Sequence, residues 1–172
     1  MALLPIIYAP DPRLKIKCRP VETVDQSVRN LTRDMLETMY AAPGIGLSAP
    51  QIGDTRRILV CDVTREGEDR QPIQLVNPEI VWSSGELHLA EEGCLSLPDH
   101  FAEIERPSEV RIRYLDQQGE SQEMIADGLL AACVQHEMDH LEGILFVDYL
   151  SPLKRNIILR KMKKLKRQKE AA

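Results

Sequence analysis

The 172-residue sequence has no apolar run that approaches the roughly 18 residues needed to cross a bilayer. The nearest candidate covers only positions 129–134. Its four cysteines form no C-x-x-C pair, and a chain of this length can bury a core without disulfides. The opening MALLPII lacks a basic segment and a small-residue cleavage site, so we expect no signal peptide. These absences exclude a membrane span and favour a cytoplasmic protein with reduced thiols.

Internal repeats and low-complexity segments are also absent from the sequence. Hydrophobic residues make up 43% of the chain and charged residues 28%, which is typical of a globular protein. The composition therefore excludes collagen-like and disordered chains. The length corresponds to about one domain, and we expect that domain to span residues 1–150, followed by a tail over residues 151–172.

The net charge of −5 is unevenly distributed along the chain. Residues 151–172 hold nine of the 22 basic residues and one of the 27 acidic residues, which gives the tail a charge of +8. Residues 1–150 keep 13 basic and 26 acidic residues, a charge of −13. A basic tail on an acidic body is suited to binding an external polyanion, although a solvated helix face is the simpler explanation.

Hydrophobic spacing predicts three helices. Apolar residues recur every three or four positions from Val24 to Met39, with Asp25 as a cap and Pro43 near the end. A second helix starts after Asp127, and the basic tail beyond residue 152 forms a third. Between the first two lie strand-like runs at 57–62, 74–81, 86–90, 109–115 and 122–126.

The second helix carries the strongest chemical signal, the H-E-x-x-H motif of residues 136–140. Four residues make close to one helical turn, so His136 and His140 project from one face and can bind the same metal ion. Glu137 is rotated about 100° from His136, close to the ion without being a ligand. That position suits a general base that acts on a metal-activated water.

Two histidines leave a catalytic site incomplete, because zinc-like centres take three protein ligands and one water. No third histidine follows His140, and the only acid beyond Asp148 is Glu170 in the tail. The third ligand should therefore lie upstream, where Cys94 is the best candidate because thiolates bind such metals strongly. His88 and His100 remain as competitors.

These patterns predict an α+β fold rather than a βαβ series. Mixed or antiparallel strands should pack around a central metal-binding helix, and the fold should also have an N-terminal helix and a basic C-terminal helix.

Three blocks of the sequence resemble the peptide deformylase family. They are Gly44–Gln51 (GIGLSAPQ), Glu92–Ser96 (EGCLS) and Gln135–His140 (QHEMDH), in the family's order and at its usual separations. The resemblance covers roughly residues 1–155. Two positions depart from the family pattern: Ser48, where alanine is more usual, and Phe101, near which many members carry a basic residue. Arg106 is a candidate to take over part of that role.

The resemblance implies hydrolysis of the formyl group from formyl-methionyl polypeptides, with release of formate. It implies Cys94, His136 and His140 as metal ligands, with Glu137 shuttling the proton. Gln51 and the backbone N–H of Leu95 would stabilise the oxyanion.

The resemblance also implies how the substrate and the ion are held. Gly44, Ile45 and Gly46 would pair with the peptide in β fashion. Ile45, Leu129 and Cys133 are candidates for the apolar methionine pocket, since the last two precede His136 on its helical face. The ion would be Fe²⁺, one per chain, with Zn²⁺, Ni²⁺ or Co²⁺ able to substitute.

Partners follow from the same resemblance. Formyl-Met nascent peptides would be the substrate, and the basic C-terminal helix would dock on the ribosome. We expect a monomer that binds no membrane.

Two other interpretations remain open at this stage. A zinc-dependent peptidase explains the H-E-x-x-H motif but leaves Cys94 and Gln51 without a role. A non-enzymatic binding module with a closed metal site needs a fourth protein ligand, for which His100 is available.

Overall fold

The computed structural model describes residues 2–171 and has the α+β fold that the sequence predicts. Its helices are α1 (Gln26–Ala41), α2 (Gly128–Leu141) and α3 (Pro152–Ala171). Its strands are β1 (Gly46–Ser48), β2 (Ile58–Cys61), β3 (Ile73–Ser83), β4 (Leu87–Cys94), β5 (Leu97–Pro107), β6 (Glu109–Leu115) and β7 (Ser121–Asp127).

Helix α1 forms where the sequence has apolar residues at helical spacing. The Asp25 side chain caps the helix by accepting a hydrogen bond from the Val28 backbone N–H at 3.1 Å. Val28, Met35 and Met39 are buried on its inner face, in one apolar cluster with residues of β1 and β2. The helix stops before Pro43, whose ring cannot continue it.

The larger sheet has five strands in the order β1-β2-β3-β6-β7, and every neighbouring pair is antiparallel. The hydrophobic pattern did not predict strand β1, because three residues that begin with Gly46 carry no measurable alternation, and only the family resemblance implied an extended edge at Gly44–Gly46. It pairs with β2 alone, with Gly46 opposite Cys61. Strand β1 is therefore an edge strand, and its outer side is available for another extended chain.

Strands β4 and β5 form a separate two-stranded sheet. Strand β4 extends four residues past the predicted run and ends at Cys94, where the register shifts. The sequence did not predict β5 although it has 11 residues. Its inward-facing positions include the charged Arg106 beside the apolar Ile104, so the alternation of apolar and polar residues is broken.

Helix α2 packs against strands of the larger sheet. Ala131, Cys133, Val134 and Leu141 belong to an apolar cluster with residues of β2, β3, β6 and β7. Its polar residues 135–137 and His140 are also buried. The helix therefore carries its histidines into the interior, as the prediction of a central helix requires.

Helix α3 contacts the body through one side. Met162 is fully buried in a cluster with Leu14, Leu97 and Phe146. Most other side chains of the helix are exposed. Within residues 2–171 no helix is both long enough and apolar enough to cross a membrane.

Candidate metal centre and active site

His136 and His140 lie one helical turn apart on α2, with their ring centroids 5.0 Å from each other. Their Nε2 atoms are separated by 3.3 Å. Both residues are buried. The pair therefore forms the converging face that the H-E-x-x-H spacing predicts.

Cys94 completes a cluster of three potential metal ligands. Its Sγ atom lies 3.4 Å from His140 Nε2, and the three ligand atoms are all within 4.8 Å of one another. Two ligand atoms bound at about 2.0–2.3 Å to one tetrahedral ion lie about 3.3–3.7 Å apart, so the observed contacts fit a shared ion. A thiolate and two imidazoles are also a donor set that transition metals bind well.

Glu92 fixes the orientation of His136. Its Oε1 atom accepts a hydrogen bond from His136 Nδ1 at 2.9 Å, which leaves Nε2 free to face the centre. Arg106 donates two hydrogen bonds to Glu92 and one to Asp139. Burial raises the pKa of Glu92, but the hydrogen bonds from Arg106 and His136 outweigh it and lower that pKa overall. Glu92 is thus a carboxylate that holds the histidine from behind.

His140 has a different environment. Burial lowers its pKa well below the usual value, and the nearby His136 lowers it further. Its Nδ1 atom is buried and has no hydrogen-bond partner within residues 2–171. A neutral imidazole is the form that binds a metal ion.

Glu137 lies beside the cluster rather than in it. Its Oε1 atom is 3.9 Å from His136 Nε2 and 3.8 Å from His140 Nε2. Burial raises the pKa of this carboxyl to about 7. A carboxyl group with a pKa near neutrality can both take up and release a proton, as a general base and acid must.

Gln51 approaches the cluster at Cys94. It lies in a short 3₁₀ helix, Ala49–Ile52, directly after β1. Its Nε2 atom is 3.5 Å from Cys94 Sγ and donates to Ser96 Oγ at 3.0 Å. The amide is therefore a donor directed at the edge of the metal centre.

A cavity of about 600 Å³ opens onto these groups. Its wall includes all five residues predicted to bind substrate, together with Cys94, Leu95, His136 and Glu137. The five are Gly44, Ile45, Gly46, Leu129 and Cys133. Gln51 and His140 are not part of this wall and lie behind it, in contact with Cys94.

Glycine is required where β1 passes the centre. A Cβ atom on Gly46 would lie 2.8 Å from Cys133 Sγ and 2.9 Å from Glu137 Cγ. One on Gly44 would lie 2.7 Å from Leu95 Cδ1. The backbone of this strand therefore packs directly against the groups that line the cavity.

Comparisons with known proteins identify the family of this chain. The family model described as polypeptide deformylase matches residues 3–156. The peptide deformylase of Rhizobium meliloti (strain 1021) is 54% identical over 164 residues, 95% of this chain and 94% of the relative. That of Phenylobacterium zucineum (strain HLK1) is 56% identical over 164 residues, 95% and 97% of the two chains.

A solved structure agrees as well. The crystal structure of peptide deformylase from Ehrlichia chaffeensis in complex with actinonin has a TM-score of 0.93 and 45% sequence identity. The match covers 97% of this chain and 99% of that one. The chain belongs to the peptide deformylase family. It is therefore a metal-dependent hydrolase of protein biosynthesis, and the predicted enzyme class is confirmed.

The competing histidines lie outside the cluster in this deformylase fold. His88 pairs with Arg106 across the β4–β5 hairpin. His100 lies on the wall of the cavity but is not in the ligand group. The cluster found within residues 2–171 is Cys94, His136 and His140.

The two departures from the peptide deformylase pattern have different surroundings. Phe101 is 62% exposed at the rim of the cavity, with its ring over Gly93. Arg106 is buried and pairs with Glu92, two positions before Cys94, and it supports His136 through that carboxylate. Ser48 is buried beside Gln51.

Sequence reasoning missed Glu92 and Ser96 as partners of site residues. Both lie in the same block as Cys94, which is the only local signal that could have identified them. The partners that they contact are 44 and 45 positions away, so the contacts exist only once the chain has folded.

Proposed function

We propose that this deformylase removes the formyl group from the N-terminal methionine of nascent polypeptides and releases formate. The carrying observation is the cluster of Cys94, His136 and His140 beside an open cavity, with Glu137 next to the histidines and Gln51 next to Cys94. Family membership supports the same reaction. A zinc-dependent peptidase or a closed binding module would leave this arrangement of Gln51 unexplained.

Cys94, His136 and His140 would hold the ion, which we propose to be Fe²⁺ at one per chain. When bound, it supplies Lewis acidity that makes a water more acidic and polarises the formyl oxygen. Zn²⁺, Ni²⁺ and Co²⁺ also suit a donor set of one thiolate and two imidazoles. The three ligands leave one position open, which a catalytic centre requires.

Glu137 would move the proton. It takes a proton from water as the water oxygen adds to the formyl carbon. It then delivers that proton to the amine nitrogen as the carbon–nitrogen bond breaks, giving formate and a free N-terminus. Its burial and its pKa of about 7 support both halves of this role.

Gln51 and Leu95 would stabilise the negative charge that develops on the formyl oxygen. The Gln51 Nε2 atom is already oriented beside Cys94 by its bond to Ser96. The Leu95 backbone N–H follows the metal-binding cysteine directly. Donors held in place before the reaction are worth about 10²–10³ in rate each.

The peptide backbone would pair with Gly44–Gly46 along the open edge of β1. The methionine side chain would enter the apolar part of the cavity beside Ile45, Leu129 and Cys133. Cys133 supports this placement because its Sγ atom lies 3.5 Å from the Ile45 carbonyl oxygen and borders Glu137.

Formate release from a formyl-Met tripeptide tests this proposal. We expect a chelator to abolish turnover and Fe²⁺ to restore it under anaerobic conditions. An acetyl-Met peptide should not be hydrolysed. Cys94→Ala should lose the metal and the activity, whereas Cys18→Ala, which removes a buried thiol outside the ligand group, should keep both. Cleavage of internal peptide bonds without formate release would instead indicate a peptidase.

We also propose that residues 1–150 form the catalytic domain and that the tail docks on ribosomal RNA. On α3, Arg160, Lys164 and Arg167 are exposed and follow one face at helical spacing. Several phosphate contacts would make binding steeply salt-dependent. A monomer acting at the ribosome would then work in the cytoplasm.

Replacing these three residues with glutamate should abolish co-sedimentation with ribosomes at low salt. Formate release from the formyl-Met tripeptide should stay unchanged. The same change at the exposed Arg65, Arg111 and Arg113 provides a control with equal net charge. Equal loss of binding in both variants would mean that only the overall charge matters.

A further inference from the structure

Ser48 contacts the amide of Gln51 through two of its own groups. Its backbone N–H donates to Gln51 Oε1 at 2.9 Å, and its hydroxyl donates to the same oxygen at 3.0 Å. Ser48 is fully buried and Gln51 is 1% exposed. These contacts are therefore made away from solvent, where losing one leaves a polar atom unpaired.

The two contacts determine which way the amide faces. A backbone N–H can only donate, so the atom opposite Ser48 must be the oxygen of the Gln51 side chain. The nitrogen is then on the other side, where it donates to Ser96 Oγ and lies 3.5 Å from Cys94 Sγ. A flipped amide would place an NH₂ group against the Ser48 N–H and lose these bonds.

The hydroxyl of Ser48 restricts the orientation of the Gln51 amide more than the backbone hydrogen bond alone does. A single hydrogen bond fixes one point and lets the amide plane rotate around it. A second donor on the same oxygen restricts that rotation, so Nε2 keeps its direction. A donor that is already oriented costs no reorganisation when charge develops on the substrate.

We propose that Ser48 is a positioning residue for the hydrolytic reaction, holding the Gln51 amide so that its nitrogen points at the formyl oxygen. This inference rests on the proposed role of Gln51. Ser48 itself touches neither the substrate nor the metal ligands. Its effect should therefore appear in kcat and only through Gln51.

The test is a double-mutant cycle on the metal-loaded enzyme. Ser48→Ala should lower kcat by about two- to tenfold, the range expected for one neutral hydrogen bond, and leave KM and metal content unchanged. Gln51→Ala should lower kcat by about 10²–10³. Adding Ser48→Ala to Gln51→Ala should then have no further effect on kcat.

Thr32 offers a matched control. Its buried hydroxyl donates to the Gln117 side-chain oxygen at 2.8 Å, between α1 and the turn after β6, away from the cavity. Thr32→Val removes the same kind of bond. It should lower the stability and leave kcat at the wild-type value.

Three results would overturn the proposal or its basis. Unchanged kcat in Ser48→Ala, or an equal reduction in both Gln51 backgrounds, would show that Ser48 is only structural. If Gln51→Ala alone kept the wild-type kcat, the role of Gln51 itself would fail. Should Ser48→Ala not fold, Ser48→Cys replaces the hydroxyl with a weaker donor at the same position, and a wild-type kcat there would equally overturn the role of the hydroxyl.

Discussion

Glu92 lies in a buried chain of polar side chains that runs from the metal centre to the surface. His136 donates to it, Arg106 pairs with it, and Arg106 also binds Asp139, which accepts from Tyr149 at 2.7 Å. Removing one member of a buried pair leaves the other charge uncompensated. At the residue scale, the site therefore depends on groups outside the set of metal ligands.

Glu137 provides the most direct test at this scale. In Glu137→Gln the amide keeps the shape of the side chain but cannot take up a proton. We expect about one metal ion per chain by elemental analysis and a loss of several orders of magnitude in kcat. A variant that loses its metal would show that Glu137 belongs to the ligand set.

Tyr40 predicts a dependence of stability on alkaline pH. Burial raises the pKa of Tyr40 to about 12 from 10.0, with a further contribution from its hydrogen bond to Asp62. The folded state therefore holds this proton more tightly than the unfolded state. The contribution of Tyr40 to the free energy of unfolding is fully present below pH 10 and is lost as the pH rises to about 12.

Tyr40→Phe should therefore show a smaller decrease in the free energy of unfolding between pH 10 and 12 than the wild type. Urea denaturation across that interval measures both slopes. Parallel curves would contradict the assignment. Tyr149, whose pKa burial and Asp139 also raise to about 12, contributes equally to both proteins.

At the scale of elements, strand β1 and helix α2 meet at Gly46. The absence of a side chain there lets the strand lie against Cys133 and Glu137. The contact couples the edge that would bind peptide to the helix that carries the ligands.

Gly46→Ala should displace the Glu137 side chain and lower kcat at least tenfold, with the metal retained. The new methyl group would lie 2.9 Å from Glu137 Cγ, closer than packed carbons normally approach. Gly85→Ala is the control, because its Cβ would meet no atom within 4 Å. Kinetics should show the loss of kcat in Gly46→Ala alone, and elemental analysis should show the same metal content in both variants.

The elements differ in how well the sequence predicts them. Helix α1 was predicted with its cap and end, because its apolar residues and Asp25 act locally. Strand β5 was not, because Arg106 faces inward and is satisfied by Glu92 and Asp139 from other elements. In the local pattern of apolar and polar residues, a charged residue that faces inward cannot be distinguished from an exposed one.

The same distinction holds for the site. The spacing of His136 and His140 is a property of one helix, and Cys94 could be chosen by its chemistry. The Ser48 and Glu92 contacts are set by tertiary packing. No period or spacing in the sequence encodes them.

At the scale of the whole molecule, the buried apolar residues between positions 2 and 171 form three clusters. One of them joins residues 7–14, β5, the segment after α2 and helix α3. The basic helix thus has a packed side as well as a charged one.

Met162→Ala should lower the free energy of unfolding by about 2–5 kcal/mol, since it would leave a cavity in this cluster. Leu153→Ala on the same helix removes a side chain that is 72% exposed and should change it by less than about 0.5 kcal/mol. Urea denaturation of both variants measures the difference. Equal effects would mean that α3 is not anchored through Met162.

The positions of the ligands along the chain have a thermodynamic consequence. Cys94 and His136 are 42 positions apart and belong to different elements, so an ion that joins them binds the folded chain and not the unfolded one. By linkage, free metal at 100 times its dissociation constant stabilises the fold by about 2.7 kcal/mol. Calorimetry should show a Tm that rises with metal concentration in the wild type and not in Cys94→Ala. Metal supply would thus control how long each chain survives as well as how fast it works.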